Sequence, residues 1–466
     1  MSGRIHMVGI GGIGMSALAQ ILLARGVGVS GSDTQASEMT ARLTKLGAEV
    51  MIGHRAELVE GAERVVISDA IGRDNVEVMR AKEVGLRVQR RSELLAELMA
   101  GSRGIAVSGT HGKTTVTAMI GLVLVEAGMD PTVVLGGEHE GLGGNARVGQ
   151  GEWFVAEACE AYESFLDLRP EIAVVTNIEP DHLDHHKTEA HLRSSFGQFL
   201  EGVMPGGSIV LCVDRPELRG MWPPDGRRVV WYGEGEQAEV RGVRVETRGW
   251  EGVCELQVGG RAEGELRVGA PGRHNAVNAL GATAAALTAG APVEACKRAL
   301  AGFRGVGRRF EVVGEGAGVT VVDDYAHHPT EIAATLAAAR AAFAGRRLVA
   351  LFQPHLYSRT LDFAEQFAEA LSEADLVVLT EIYPAREGPI PGVTSALIAD
   401  HVRALAGEDA VLEMAKQEVA TKLPLHLRSG DVVLTMGAGD IGRFARELVQ
   451  RLGGGTGAGK QVAAKQ

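Results

Sequence analysis

The string SGTHGKTT at 108–115 constrains this chain more than any other. An apolar run at 104–107 precedes it and a helix-like run at 114–126 follows. Strand, glycine loop, Lys-Thr and helix, in that order, make a phosphate cradle at the C-terminal end of a strand in an α/β sheet. Gly109 and Gly112 let backbone N–H groups curve round an anion, and the helix N-terminus adds the positive end of its dipole. Lys113 is placed to reach the outer phosphates of ATP, and the Thr114 hydroxyl to hold Mg²⁺. The plainer alternative, a glycine turn that only opens a helix, leaves the Gly-Lys-Thr-Thr string without a purpose.

A second glycine fingerprint stands earlier. A strand-like run at 5–8 leads into GIGGIG at 9–14 and a helix-like run at 15–24. The next strand, 27–30, ends in Gly31-Ser32-Asp33. The spacing fits a dinucleotide loop with an acidic residue placed for a ribose. Taken singly, this loop divides between NAD, another nucleotide and a structural turn. Beside a P-loop it points to an ATP-driven enzyme whose first domain grips a nucleotide-activated substrate. A nicotinamide oxidoreductase would leave Lys113 and the segment at 323–331 without a role.

At 466 residues the chain suggests two to four domains. Its net charge of -12 argues against a non-specific nucleic-acid binder. Cys159, Cys212, Cys254 and Cys296 are far apart with no metal-type pairing, as expected of reduced thiols in a cytoplasmic protein. No apolar run approaches membrane-spanning length, so no membrane insertion is expected. Met1 leads into the first strand after only Arg4, so no leader is expected either.

Strand-like and helix-like runs alternate through most of the chain, the α/β pattern. The expected fold has three domains: an N-terminal Rossmann-like domain at 1–100, a central P-loop ATPase-like domain with a β-rich appendage at 101–312, and a C-terminal Rossmann-like domain at 313–452. The runs at 229–233, 240–245 and 253–258 are read as that appendage, antiparallel. The Gly/Ala/Lys/Gln-rich end, 453–466, is expected to be a disordered tail.

Other polar clusters fall at predicted strand ends, where open α/β sheets bind ligands. Glu157 ends one strand, and TNIEPDHLD at 176–184 follows another, with His182 in it. Carboxylate and imidazole there can hold a second Mg²⁺; a surface charge and a capped turn are the structural alternatives. His185, His186 and His191 make the next stretch His-rich, but no Cys pair or regular ligand spacing supports zinc. Arg308 and Arg309 stand at a domain junction, placed to neutralise a transferring phosphoryl group or simply to be solvated. DDYAHHPTE at 323–331 and FQPHLYSR at 352–359 follow consecutive strands of the third domain.

In order along the chain, HMVGIGGIGM (6–15), SGSD (30–33), SGTHGKTT, TNIEPDHLD, PGRHNAVN (271–278), GRRF (307–310), DDYAHHPTE and FQPHLYSR resemble the Mur ligases of peptidoglycan synthesis. The resemblance covers nearly the whole chain. It implies ATP-dependent ligation of L-alanine to the carboxylate of UDP-N-acetylmuramate through an acyl phosphate, with Mg²⁺, in a monomer or homodimer. By that likeness Gly11, Gly12, Gly14, Ser32 and Asp33 face the UDP-sugar. Gly109, Thr110, His111, Gly112, Lys113, Thr114 and Thr115 surround the ATP phosphates, with Thr114, Glu157 and His182 on metal. His274, Asn275 and Asn278 lie by the adenine, Arg309 by the phosphates and Asp324 by the ribose. Tyr325, His327 and Arg359 border the amino-acid pocket, and Lys113, Glu157, His182 and Arg309 form the catalytic set.

The chain also departs from the family pattern. Cys159, Ala161 and Tyr162 replace an expected Asp, Ser and Asp, while Glu157 is kept. Asp69 replaces a usual Ser, and Leu356 stands where some members have Arg. The sister ligase that adds a peptide to the same UDP-sugar therefore stays open beside the alanine ligase favoured by GIGGIG. No Lys occurs between Thr188 and Gly202, so the carbamylated lysine of several relatives is not expected.

Overall fold

The computed structural model describes residues 3–181, 186–221, 226–385 and 387–456. Three sheets carry the chain. In the first, β1 (Arg4–Val8), β2 (Val29–Asp33), β3 (Glu49–Ile52), β4 (Ala62–Ile67) and β5 (Arg87–Arg90) lie in the order β3-β2-β1-β4-β5. All four pairings are parallel. Strand order reverses beside β1, so the loop after β1 sits at the switch point where such sheets take ligands.

The second sheet is formed by β6 (Arg103–Ser108), β7 (Thr132–His139), β8 (Gly144–Arg147), β9 (Trp153–Glu157), β10 (Ile172–Val175), β11 (Ser208–Cys212), β12 (Arg228–Gly233), β13 (Val240–Arg248), β14 (Glu251–Val258) and β15 (Arg261–Val268). Their order is β15-β14-β13-β12-β11-β10-β6-β9-β7-β8. β6 is central, flanked in parallel by β10 and β9. Residues Gly104 to Ser108 and all of β10 are buried, because helices cover both faces of such a sheet. β12, expected as the first antiparallel strand of an appendage, instead pairs in parallel with β11, and β13 in parallel with β12. The short Gly-bounded runs there gave no orientation signal.

The third sheet comprises β16 (Glu311–Gly316), β17 (Val319–Asp324), β18 (Leu348–Phe352), β19 (Leu376–Leu379), β20 (Val411–Glu413), β21 (Val432–Met436) and β22 (Gly455–Thr456). Its order is β20-β19-β18-β21-β17-β16-β22, parallel from β20 to β17 and antiparallel at β16 and β22. Gly455–Thr456 falls in the stretch expected to be a disordered tail, yet it pairs with Gly314 and Glu315; 457–466 lie outside the described residues.

Packing divides the chain into two compact units. One holds the described residues up to Val243 with Glu255–Gly264 and Val277–Ala301; the other holds Arg244–Cys254, Glu265–Ala276 and the chain from Gly302. Within the first unit, the helix Ile13–Ala24 after the GIGGIG loop packs on β7 and β8 through buried Asn145. The Asn145 amide donates to Ile13 O at 2.6 Å and Ser16 Oγ at 2.9 Å, and accepts from Gln20 at 2.9 Å. Among the described residues no helix is long and apolar enough to cross a membrane.

Candidate active site

The SGTHGKTT loop follows β6 as expected and feeds the helix Lys113–Glu126. Gly109 at φ +130° and Gly112 at φ +83° hold backbone conformations that side chains rarely adopt. A Cβ at Gly109 would also collide with Thr176 Oγ1, and one at Gly112 would lie 2.8 Å from Asn278 Oδ1. Thr176 and Asn177 lash the loop from β10. His111 N–H donates to Asn177 Oδ1 at 2.9 Å, and His111 O accepts from Thr176 Oγ1 at 2.6 Å and Asn177 Nδ2 at 3.1 Å. Thr110 and Glu179 exchange two further bonds, 3.1 and 2.8 Å. No side chain caps the helix at Gly112, so its first-turn N–H groups keep their anion-binding capacity.

Lys113 is drawn back into this cradle. Its Nζ donates to Gly109 O at 2.6 Å, Thr110 O at 3.0 Å and Glu160 Oε1 at 2.9 Å. Glu160 is 1% exposed. Burial pulls the ammonium's pKa down, but the charges of Glu160, Cys159 and Glu157 outweigh it and hold it at about 12. Lys113 is therefore a cation throughout the neutral range.

Glu157 ends β9 opposite Val107, the strand neighbour that leads into the loop. Gly136 N–H donates to its carboxylate. Thr114, 8% exposed at the start of the helix, and Glu157 offer hard oxygen donors, a set that fits Mg²⁺. His182 lies outside the described residues. Past Glu157 the altered segment takes an unusual path: Tyr162 and Glu163 have φ of +53° and +55°.

In the first sheet, Ser32 O accepts from the N–H groups of Gly9 and Ile10, 2.8 and 3.0 Å, which fixes the GIGGIG loop. Asp33 accepts from Gly11 N–H at 2.9 Å. The Ser32 hydroxyl is engaged elsewhere, donating to Glu77 Oε2 at 2.7 Å and lying 3.0 Å from His54 Nδ1. Glu77 is fully buried and also bonds His6 Nε2 at 2.9 Å, His54 Nδ1 at 3.1 Å and Arg55 N–H at 3.1 Å. Burial pushes the Glu77 carboxyl up, but the bonds from His6 and Ser32 and the His6 charge bring it below the usual range. The Arg91 guanidinium lies 3.3 Å from where a Cβ of Gly14 would stand.

In the second unit, Asp324 is 7% exposed and accepts from Phe310 N–H at 2.8 Å and Ala326 N–H at 2.7 Å. Burial pushes its carboxyl up to about 6, against the pull of Arg309 and these bonds. The two arginines differ. Both guanidinium groups lie 5.0 Å from the Tyr325 ring centroid, but Arg308 is fixed on Asp323 at 3.1 Å and on Gly437 O at 2.8 Å, whereas Arg309 lies 3.7 Å from Glu331. His327 meets Tyr325 at 5.2 Å and His355 at 6.0 Å between ring centroids. Arg359, 5% exposed, reaches His355 Nδ1 at 3.3 Å. Tyr325, His327 and Arg359 are thus joined through His355, which sequence reasoning did not single out. Asn275 closes a local turn by donating to Pro271 O at 2.7 Å, and His274 is exposed next to it.

Glu160, Glu77 and Asn145 also escaped the sequence reading, and Glu331 was noted only as the end of the DDYAHHPTE cluster, without a role. For Glu160 a signal existed, a second carboxylate just after Glu157 at a strand end; for Glu77 and Asn145 none did.

Comparison with known sequences closes the case. Residues 4–103 match the Mur ligase family catalytic domain, 107–286 the Mur ligase middle domain and 308–439 the Mur ligase glutamate ligase domain. The UDP-N-acetylmuramate–L-alanine ligase of Anaeromyxobacter sp. (strain Fw109-5) is 47% identical over 446 residues, 96% of this chain and 97% of that protein. The enzyme of that name from Symbiobacterium thermophilum is 48% identical, covering 96% of this chain and 94% of its own. Among solved structures, the UDP-N-acetylmuramate-alanine ligase of Thermotoga maritima superposes with a TM-score of 0.82 at 31% identity, over 96% of this chain and 99% of that one. A murein peptide ligase from Psychrobacter arcticus shares the fold, with a TM-score of 0.72 at 24% identity over 97% and 99%. The chain belongs to the Mur ligase family.

Proposed function

We propose that this enzyme joins L-alanine to the lactyl carboxylate of UDP-N-acetylmuramate, using ATP, as a step of peptidoglycan precursor synthesis. The observation that carries the reading is the pre-formed phosphate cradle with Lys113 inside it, in a chain nearly half identical to named alanine ligases over almost its whole length. We assign the UDP-sugar to 1–100, ATP to 101–312 and the amino acid, with part of the ATP, to 313–452.

A carboxylate is a poor acyl donor because its leaving group would be an oxide. In the proposed reaction a carboxylate oxygen attacks the γ-phosphorus of ATP, the bond to the β,γ-bridging oxygen breaks, and ADP leaves. The amine of alanine then attacks the acyl carbon, inorganic phosphate departs with the former carboxylate oxygen, and the amine loses a proton. Lys113 and Arg309 offset charge on the transferring phosphoryl group, and the helix N-terminus after Gly112 orients it. Mg²⁺, held by Thr114, Glu157 and His182, would supply further neutralisation when bound. Gly11, Gly12, Gly14 and Asp33 position the uridine nucleotide, while Tyr325, His327 and Arg359 orient alanine.

The test crosses a panel of UDP-sugars with amino acids and reads phosphate release from ATP. Enzyme, Mg-ATP and UDP-N-acetylmuramate without alanine, quenched with hydroxylamine, should give ADP and the hydroxamate of the UDP-sugar. AMP and pyrophosphate would mean adenylation and would remove the γ-phosphoryl roles of Lys113 and Arg309.

A further inference from the structure

Close to the P-loop lysine, three side chains that the ligation chemistry does not use converge. Glu163 comes from the turn Ala161–Asp167, His186 from the segment before the helix Glu189–Glu201, and His191 from that helix's first turn. One donor atom from each lies within 4.8 Å of the other two. Sequence spacing argued against zinc among the histidines. The fold supplies the missing donor, Glu163, from far upstream.

The ring nitrogens are already sorted. His191 Nδ1 lies 3.1 Å from His186 O; donating there, it leaves a lone pair on Nε2, which faces Glu163 Oε1 at 3.4 Å. His186 Nε2 lies 3.2 Å from Glu160 O; donating there, it makes Nδ1 the acceptor nitrogen of the ring. Each imidazole thus has one N–H on a backbone carbonyl, the arrangement that fixes the tautomer of metal-ligating histidines. Ser195 Oγ donates to Glu163 Oε1 at 2.6 Å and orients the carboxylate in the same way.

Distances agree with a small ion. Zinc–nitrogen bonds of about 2.0–2.1 Å in a tetrahedron put neighbouring donors about 3.3 Å apart. The Glu163–His191 separation is 3.4 Å, and no pair in the triad has to close by more than about 1.5 Å from its present limit of 4.8 Å. Two imidazoles and one carboxylate favour a borderline transition ion over Mg²⁺ or Ca²⁺, which prefer oxygen. His191 is 48% exposed, which leaves a fourth position for water.

The geometry points to a site for one divalent ion of the zinc class on Glu163, His186 and His191, apart from the Mg-ATP residues. Glu160 connects it to the cradle. Its carbonyl accepts from His186 and, at 3.0 Å, from Glu163 N–H, while its carboxylate holds Lys113. An ion on the triad braces the turn that holds the P-loop lysine. The competing use of the same atoms is a plain ion pair between Glu163 and protonated His191, which takes up no metal.

The test uses the full chain, stripped with a chelator and kept in excess Mg²⁺, titrated with Co²⁺ and then Zn²⁺. Expected are one Co²⁺ per chain with the intense visible absorption of a four-coordinate ion, its displacement by one equivalent of Zn²⁺, and about 10- to 100-fold weaker binding in His191→Ala and Glu163→Gln. No retained Co²⁺, a weak six-coordinate spectrum, or unchanged affinity in His191→Ala would overturn the site. The His191 side chain is half-exposed, so that variant decides the matter even if Glu163→Gln does not fold.

Discussion

Glu160→Gln tests whether Lys113 is held by an internal anion that ATP must outcompete. The pair is 2.9 Å apart, with Glu160 1% and the Lys113 side chain 16% exposed. At an effective dielectric constant of about 20, that separation is worth about 6 kcal/mol of attraction. Desolvation offsets much of this, and removing one partner of a buried pair typically costs about 3–5 kcal/mol. The apo protein should therefore melt at a lower temperature. The nucleotide should respond in the opposite direction. If ATP recovers only a quarter of the attraction, about 1.4 kcal/mol, its affinity rises about tenfold. Calorimetric titration with a non-hydrolysable ATP analogue and Mg²⁺ reads the second effect, and a thermal-shift scan of the nucleotide-free protein reads the first. An unchanged melting temperature together with an unchanged analogue Kd would refute the reasoning. Weaker analogue binding with retained fold would instead place the Glu160 carboxylate among the nucleotide's own contacts.

Three further outcomes are expected. Glu157→Ala should lose about 10²–10³ in turnover while keeping its fold by circular dichroism, since loss of one preorganised electrostatic contact has that size; unchanged turnover removes Glu157 from the mechanism. Cys159 should resist iodoacetamide at neutral pH, because burial and the Glu160 charge push its thiol up to about 11; rapid labelling that ATP blocks would contradict this. Asp324 has a raised folded-state pKa, about 6 against an ordinary 3.8, so its stabilising contribution is full below about pH 4 and is lost as pH rises through about 6. Denaturation of wild type and Asp324→Asn across that range should show a difference that changes by about 3 kcal/mol, and parallel profiles would count against the shift.

The parts of the fold legible in the sequence are those where burial on two faces writes an unbroken apolar run. β6, β10 and β18 were found that way, each with its loop at the correct end. β7 and β8 escaped because TVVLGGEH and GNAR mix glycine with polar residues at a sheet edge. β12 was found but given the wrong direction, since strand orientation is set by pairing partners and not by local composition. Site residues divide in the same manner. Glycine and lysine positions in the P-loop are dictated by local geometry and could be read directly. Glu160 was passed over although it follows Glu157 closely, because a glutamate's ordinary place is the surface and its role as a buried counter-ion depends on the packed turn at 158–163.

Two carboxylates expected from sequence to meet ligands, Asp33 and Asp324, and two that were not, Glu160 and Glu331, are already occupied. Asp33 already takes the Gly11 N–H, Asp324 takes two backbone N–H groups, Glu160 holds Lys113, and Glu331 lies against Arg309. Each of these donors sits where a bound anion or ribose is proposed to go. A desolvated donor with no acceptor costs about 1–3 kcal/mol, and more when charged, so a cradle built of such donors needs a stand-in while it is empty. An internal carboxylate meets that need and keeps the loop in its binding geometry. It also sets a threshold, since a weakly charged ligand cannot displace it. On the proposed reading the triphosphate of ATP supplies that charge, which would make buried Glu160 a filter for polyanionic ligands.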